Sequence, residues 1–356
     1  MKQTKELNFE GQDIYCGLDV HKKSWSVCIR DEDTELKSFS QPAETAVLVN
    51  FLKRNYPGAN YHAVYEAGFS GFWAQRQLSE QGVNCIITHA ADVPTSDKEQ
   101  QQKTDAVDCR KLAKSLSTNS LKGIYVPSEQ AIEDRGILRI RHQLVKDQTR
   151  YKNRIMSLLN FYGVVIPEGY KQSSHFSKKF IVWLENLELS VVAKCGLQLQ
   201  LSALKDIRKH LLDATRAVRE LSKQERFKNN VALMQSIPGI GLINAMVILS
   251  ELGDIKRFKT LDDLCSYVGL MPDIYASGDT RKIKGITRRC NHTLREALVE
   301  SAWSARRLDP ALLMAYKKYL VRMPANKAII KITKKLLNRI RYILLHNVEY
   351  VPCVVG

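Results

Sequence analysis

The spacing of apolar and polar residues changes character twice along this chain. Ile14 to Val20 is nearly continuous apolar sequence, Trp25 to Arg30 alternates apolar and polar, and Leu36 to Phe39 is a short third run. These patterns predict three strands. Ala46 to Leu52 takes helical spacing, Tyr61 to Tyr65 returns to strand, Trp73 to Leu78 is helix-like, and Val83 to Thr88 is strand-like again. Three strands, a helix, then strand–helix–strand predict a mixed α/β layer in which helices cover a sheet.

At Glu129 the rhythm lengthens. A helix is predicted to about Tyr162, with an apolar stripe stepping by seven through Ile137, Leu144, Tyr151 and Leu158. A second stripe follows at Leu197, Leu204, Leu211 and Val218, with Ile207, Ala214 and Leu221 three residues after the last three. Seven-residue stepping predicts a coiled coil. With Pro167 to Ser190 as connector, the two helices predict an antiparallel hairpin, which serves either as a packed arm or as a dimerisation element. From Asn229 on the pattern is mainly helical, interrupted by Ser236-Ile-Pro-Gly-Ile-Gly241 between two apolar runs. That segment resembles a helix–hairpin–helix turn. Gly239 and Gly241 allow a tight turn, and backbone N–H groups at the next helix start can bind a phosphate. A plain turn between packed helices fits equally well. The predicted division is therefore 1–128, 129–228 and 229–356.

Charge adds a partner to this picture. The 356 residues carry 54 Lys and Arg against 37 Asp and Glu, a net charge of +17, which argues for a polyanion. The charge is clustered: Val321 to Val348 holds seven Lys or Arg and no acid. Arg135, Arg139, Lys146, Arg150 and Arg154 fall on roughly one face of the first long helix, where either a solvated surface or nucleic-acid contact accounts for them. A membrane is not indicated. Apolar runs such as Ala245 to Leu249 are far below the ~20 residues of a span, and Met1 to Asp13 has no signal-peptide core. The eight cysteines are scattered without a CxxC pair, which predicts reduced thiols, a cytoplasmic location and no zinc site.

Two acids stand where surface acids seldom do. Asp19 ends the apolar strand in Tyr15-Cys-Gly-Leu-Asp-Val-His-Lys22, and Glu66 ends His62-Ala-Val-Tyr-Glu66 just before Ala-Gly-Phe-Ser-Gly. Strand ends beside glycine turns are where α/β folds present functional groups. In Lys103-Thr-Asp-Ala-Val-Asp-Cys-Arg-Lys-Leu112, Asp105 and Asp108 share a helical face. Thr104 is a candidate cap, and Asp105 alone is what a helix dipole favours. Four converging carboxylates repel unless a divalent pair compensates them. Mg²⁺ prefers such oxygen ligands, and two ions can activate an attacking oxygen and stabilise a leaving one.

The ordered set GLDVHKK, YEAGFSG, KTDAVDCRKLA and SIPGIG, then Tyr267-Val-Gly-Leu-Met-Pro272, Tyr275-Ala-Ser-Gly278, Lys284-Gly285 and Leu294-Arg-Glu-Ala-Leu298, resembles the DEDD transposases of bacterial insertion sequences (the one-ten and eleven-eleven types). The resemblance spans nearly the whole chain. It implies a RuvC-like, ribonuclease-H-fold catalytic domain over 1–128, an α-helical coiled-coil region over 129–228 and a mainly α-helical transposase domain over 229–356. It implies a metal-binding catalytic tetrad of Asp19, Glu66, Asp105 and Asp108 with Mg²⁺ or Mn²⁺, and Ser277 as a nucleophile that holds the cut strand covalently. Without the resemblance, Ala-Ser-Gly-Asp reads as turn chemistry. The resemblance further implies double-stranded DNA as substrate and a non-coding guide RNA, while the seven-residue stripes and the need to hold two DNA ends favour a homodimer or homotetramer. Candidate nucleic-acid contacts are Arg281, Lys282, Lys284, Arg288 and Arg289, together with Lys327, Lys331, Lys334, Lys335, Arg339 and Arg341, where no acid lies nearby in sequence. Cys109, where the family pattern has alanine, and Arg289-Cys-Asn-His292 depart from that pattern. The alternative is a RuvC-like junction nuclease without serine chemistry.

Overall fold

The computed structural model describes residues 8–94, 104–171, 176–277 and 280–352. The chain forms two compact units, Met1–Val126 and Pro127–Gly356.

In the first unit, strands β1 (Asp13–Val20), β2 (Ser24–Arg30), β3 (Glu35–Pro42), β4 (Asn60–Glu66) and β5 (Asn84–Thr88) form one sheet in the order β3-β2-β1-β4-β5. β1 pairs antiparallel with β2 and parallel with β4, so it lies at the centre of a mixed sheet. Strand alternation sorts the side chains. Ile14, Cys16 and Leu18 of β1, with Trp25, Val27 and Ile29 of β2, go to one face. There they bury Leu48 and Leu52 of α1 (Thr45–Asn55) and Ala74 and Leu78 of α2 (Trp73–Glu80). Helix α3 (Asp105–Ser117) covers the opposite face, where Leu112 packs on Val64 and Cys109 and Ala113 pack on Cys28. A mixed sheet with helices on both faces bears out the α/β expectation and is consistent with a RuvC-like domain.

The second unit is mainly helical. Helix α4 (Glu129–Phe161) is followed by the short α5 (Glu168–Lys171) and α6 (Lys178–Glu185), then by α7 (Val191–Ser222). The connector thus contains helix of its own. α4 and α7 run antiparallel. Leu138 shares a core with Val218 and Leu221, Arg141 donates to Thr215 at 3.0 Å, and Ile155 and Leu159 pack with Leu197, Leu201 and Leu204. As one helix ascends its partner descends. The predicted stripe on α7 is largely buried at Leu197, Leu204, Ala214, Val218 and Leu221. On α4 the buried apolar positions are Leu138, Ile155 and Leu159, and the predicted Ile137, Tyr151 and Leu158 pack partly buried against the same cores. Between them the pair is only half-buried, with a polar Arg141–Thr215 contact in place of apolar packing.

The remaining helices are α8 (Glu225–Ser236), α9 (Leu242–Leu252), α10 (Leu261–Val268), α11 (His292–Leu308), α12 (Pro310–Leu320) and α13 (Ala325–His346). They build one core in which Met234, Ile248, Leu264, Leu298, Leu336 and Ile340 are fully buried. The mainly helical expectation requires one amendment here. β6 (Pro272–Ser277) and β7 (Thr280–Ile286) form an antiparallel ribbon between α10 and α11. Among the described residues, no helix is long and apolar enough to cross a membrane.

Candidate active site

The site begins with a glycine. Asp13, Tyr15, Gly17 and Asp19 project from β1 toward α3, because the intervening residues face the core on the other side. A Cβ on Gly17 would stand 2.0 Å from the Cys109 carbonyl oxygen and 2.5 Å from the Ala113 nitrogen. α3 therefore rests backbone on backbone against the central strand. Cys109 is fully buried at that contact, where only a small side chain fits. This close seating brings the first turn of α3 over the C-terminal end of β1. Thr104 caps the helix by accepting from the Val107 N–H at 3.3 Å, and Asp105 and Asp108 occupy the turn it caps.

Asp19 sits at that end of β1 with a quarter of its side chain exposed. The parallel register pairs Leu18 with Tyr65, which sets Glu66 at the next position of β4 beside Asp19, on the same face. His21, two residues beyond Asp19, places its Nε2 3.1 Å from Asp19 Oδ2 and 3.5 Å from Asp105 Oδ2. Lys111 approaches Asp108 at 3.6 Å. Burial raises the Asp19 carboxyl above the usual aspartate range. The charges of Asp105 and Asp108 push it the same way, and His21 opposes them. The four acids thus lie on one face, two at adjacent strand ends and two in a helix turn, but among the described residues only Asp19 and Asp105, with His21, bring ligand atoms within 4.8 Å of one another, and neither Glu66 nor Asp108 joins that group.

One ligand atom from each of Asp19, His21 and Asp105 lies within 4.8 Å of the others. That is little more than twice the ~2.1 Å bond of a divalent ion to oxygen, so the donor set suits such an ion. His21 went unassigned in the sequence, although strand alternation from Asp19 already pointed its side chain the same way.

In the second unit, Ser277 ends β6 and pairs with Thr280. The neck of this ribbon is built from half-buried polar contacts. Arg295 donates to the carbonyls of Gly269 and Thr287 at 3.2 and 2.8 Å, and the Thr287 N–H donates to Met271 O at 3.0 Å. Beneath it lies Glu251, 1% exposed. Its carboxylate accepts from both ends of the Arg139 fork at 2.8 and 3.0 Å and from Asn291 at 2.8 Å, while the Tyr267 hydroxyl donates to its backbone carbonyl at 3.0 Å. Burial alone would raise the Glu251 carboxyl. Hydrogen bonds from Arg139 and Asn291 and the charges of Arg139 and Arg135 outweigh it and hold the group below the usual glutamate range. No local pattern marked Glu251, which sits within an apolar helix.

Several basic candidates find internal partners. Arg135 is buried and donates to the Ser250 and Glu251 carbonyls, so it is corrected from a surface contact to a core anchor. Arg139 is bound to Glu251, and Arg150 to Asp147 at 2.6 Å. Arg154 lies over the Tyr151 ring, and Lys146 is exposed. On α13, Lys334 meets Asp262 at 3.1 Å, Arg339 meets the buried Asp309 at 2.8 Å, and Arg341 donates to Lys259 O. The acid-free stretch of sequence therefore receives acids from elsewhere in the fold. Lys327, Lys331 and Lys335 recur every four residues along an exposed face, and carry no ion pair among the described residues. Arg288 and Arg289 are exposed. Side-chain positions of Arg281, Lys282 and Lys284 lie outside the described set. Gly239 owes its identity to packing: at φ +94° its Cβ would stand 2.4 Å from the Ala305 nitrogen. Gly241 begins α9 with open space around it.

Comparison with known proteins decides what these two parts belong to. A model described as Transposase IS116/IS110/IS902 family matches residues 231–317, and a DEDD transposase model of the IS110 type matches residues 16–164. The chain therefore carries the transposase domains that these two models describe. The transposase is similar to the transposase for insertion sequence element IS1111A of Coxiella burnetii, 28% identical over 206 residues, covering 56% of this chain and 54% of the relative. It is also similar to the transposase for insertion sequence element IS1533 of Leptospira borgpetersenii, 25% identical over 254 residues, covering 69% and 71%. As a transposase it is an enzyme that cleaves and rejoins DNA, and its DEDD domain implies dependence on a divalent metal ion.

Proposed function

We propose that this transposase moves its element by a two-part mechanism, in which the carboxylate metal site of a RuvC-like domain, from the same or another subunit, assists a nucleophilic Ser277. The observation that carries the reading is the gathering of Asp19, Glu66, Asp105 and Asp108 on one face at the end of the central strands. Mg²⁺ or Mn²⁺ held there would polarise a scissile phosphate and stabilise the departing oxygen. The chain's own residues supply the rest. Asp19 and Glu66, fixed by the sheet register, and Asp105 and Asp108, fixed by the Thr104 cap and the Gly17 contact, set where the phosphate sits. Ser277 Oγ attacks phosphorus, one deoxyribose oxygen leaves with a proton, and the strand remains esterified to the protein. That ester preserves the phosphodiester bond energy for the rejoining step, in which a strand hydroxyl displaces the serine.

We read the catalytic domain as the RuvC-like 1–128, the helical hairpin as 129–228 and the serine-bearing domain as 229–356. Double-stranded DNA binds through Lys327, Lys331, Lys335, Arg288 and Arg289, and an element-encoded RNA selects sites by base pairing, leaving backbone and shape to the protein. Phe161, Val165, Val191 and Val192, all more than four-fifths exposed near the far end of the hairpin, support a homodimer or homotetramer.

The test is to sequence the RNA that co-purifies with the protein, add element-end and target DNA with Mg²⁺, and look on a denaturing gel for a protein–DNA adduct. The reading expects a discrete RNA and an adduct that Ser277→Ala abolishes. Cleavage without an adduct points instead to a RuvC-like nuclease in which Ser277 has no chemistry.

A further inference from the structure

We propose that His21 is a fifth ligand of the carboxylate metal site, its Nε2 supplying a nitrogen donor beside Asp19 and Asp105 that favours Mn²⁺ over Mg²⁺. The inference rests on the reading that Asp19 and Asp105 hold a divalent ion, and deepens it.

The position of the ring follows from the chain. Asp19 and His21 are two residues apart at the end of β1, so alternation sends both side chains toward α3. The His21 N–H donates to Ser24 O at 3.2 Å and closes the turn into β2, which fixes the backbone from which the ring projects. Nε2 then stands 3.1 Å from one carboxylate oxygen and 3.5 Å from the other. Adjacent ligands on an octahedral ion with bonds of ~2.2 Å are ~3.1 Å apart, so Nε2 stands close to the spacing of a neighbouring corner from each of the two oxygens, and all three atoms lie within 4.8 Å of one another. The neutral ring with its proton on Nδ1 presents a lone pair at Nε2. Half of the side chain is exposed, which leaves an approach from solvent.

Donor chemistry then sets the preference. Carboxylates suit Mg²⁺ and Mn²⁺ alike, whereas an imidazole nitrogen is a better donor to a first-row transition ion such as Mn²⁺ than to the harder Mg²⁺. His62 provides an internal control. It stands on the same sheet face but pairs with Asp13 at 3.1 Å, six residues earlier on β1 and therefore ~20 Å from Asp19.

The full-length protein, loaded with Mn²⁺ alone, is examined by electron spin-echo envelope modulation and by Mn²⁺ and Mg²⁺ titration. The expected result is a ¹⁴N modulation from a directly bound imidazole, lost in His21→Gln and His21→Asn and kept in His62→Gln. The Mn²⁺ affinity of His21→Gln is expected to fall about tenfold or more, with a smaller change for Mg²⁺. Bound Mn²⁺ without ¹⁴N modulation in the unaltered protein would overturn the proposal, and so would a modulation that survives both His21 variants. Those results leave the carboxylate site standing. Undiminished Mn²⁺ binding in Asp19→Asn would overturn the carboxylate site itself, and the His21 proposal with it.

Discussion

Replacing Gly17 with alanine tests the link between packing and chemistry at a position that bears no functional group. The new methyl group would begin 2.0 Å from the Cys109 oxygen, and an ordinary contact starts at 3.4 Å, so α3 must retreat from β1 by roughly 1.4 Å or the strand must bend by as much. Both colliding partners are backbone, so no flexible side chain can absorb the change. Overpacking of this kind costs about 1–3 kcal/mol, and the backbone clash places it at the upper end. For a unit of this size that lowers the melting temperature by roughly 10 °C. The same retreat carries Asp105 and Asp108 away from Asp19 and Glu66. A misplacement of about 1 Å typically costs a hundredfold in rate. The assay pairs thermal unfolding with Mn²⁺ titration and strand cleavage, using Leu52→Ala as comparator. Leu52 is fully buried on the opposite face, and its truncation costs about 2–5 kcal/mol without touching α3. Gly17→Ala should lose metal affinity and cleavage while Leu52→Ala keeps both in its folded fraction. Wild-type stability and metal affinity in Gly17→Ala would refute the backbone-on-backbone seating.

Other consequences follow from the second unit. Glu251→Ala removes the partner of Arg139 and the buried Arg135, and should cost about 3–5 kcal/mol in denaturant unfolding, with Glu251→Gln milder because it keeps a hydrogen-bonding oxygen. Because the folded-state Glu251 carboxyl is held below its ordinary range, its stabilisation is present above that range and lost as pH falls through it. The gap between the unaltered protein and Glu251→Gln should therefore narrow in acid; a gap constant with pH contradicts the assignment. Replacing Lys327, Lys331 and Lys335 by Gln should reduce the slope of log binding constant against log salt by roughly 2–3 on any duplex sequence, at ~0.9 per phosphate contact. An unchanged slope would place the DNA on another face.

How much of this could be read from sequence varied with how local the physics was. The strands of the first unit were legible because apolar runs and alternation are local signals, and Asp19 and Glu66 stood out as acids ending such runs. The role of Gly17 was not legible, since a glycine inside a strand reads only as a weak position until the helix that presses on it is known. Arg135 and Arg139 looked like one basic face, yet their acid, Glu251, lies more than a hundred residues away and comes close only through packing. The stretch from Val321 to Val348 misled in the same way. Its lack of acids is true of the sequence, but Asp262 and Asp309 reach Lys334 and Arg339 in space. The seven-residue stripe on α4 marked the packed side at Ile137, Tyr151 and Leu158 but not its most buried positions, Leu138, Ile155 and Leu159, and the polar Arg141–Thr215 contact between them left no apolar signal. The β6–β7 ribbon went unforeseen, since two short strands inside a helical region leave little periodic signal.

The central claim is that Asp19, Glu66, Asp105 and Asp108 act together through a divalent ion. The most direct measurement is cleavage of element-end DNA, with Mg²⁺ or Mn²⁺ titrated, by Asp19→Asn, Glu66→Gln, Asp105→Asn and Asp108→Asn, each checked for folding by thermal unfolding. The account predicts that every folded variant loses metal-dependent cleavage by about a hundredfold or more. A folded variant that cleaves at the unaltered rate with the unaltered metal dependence would contradict it.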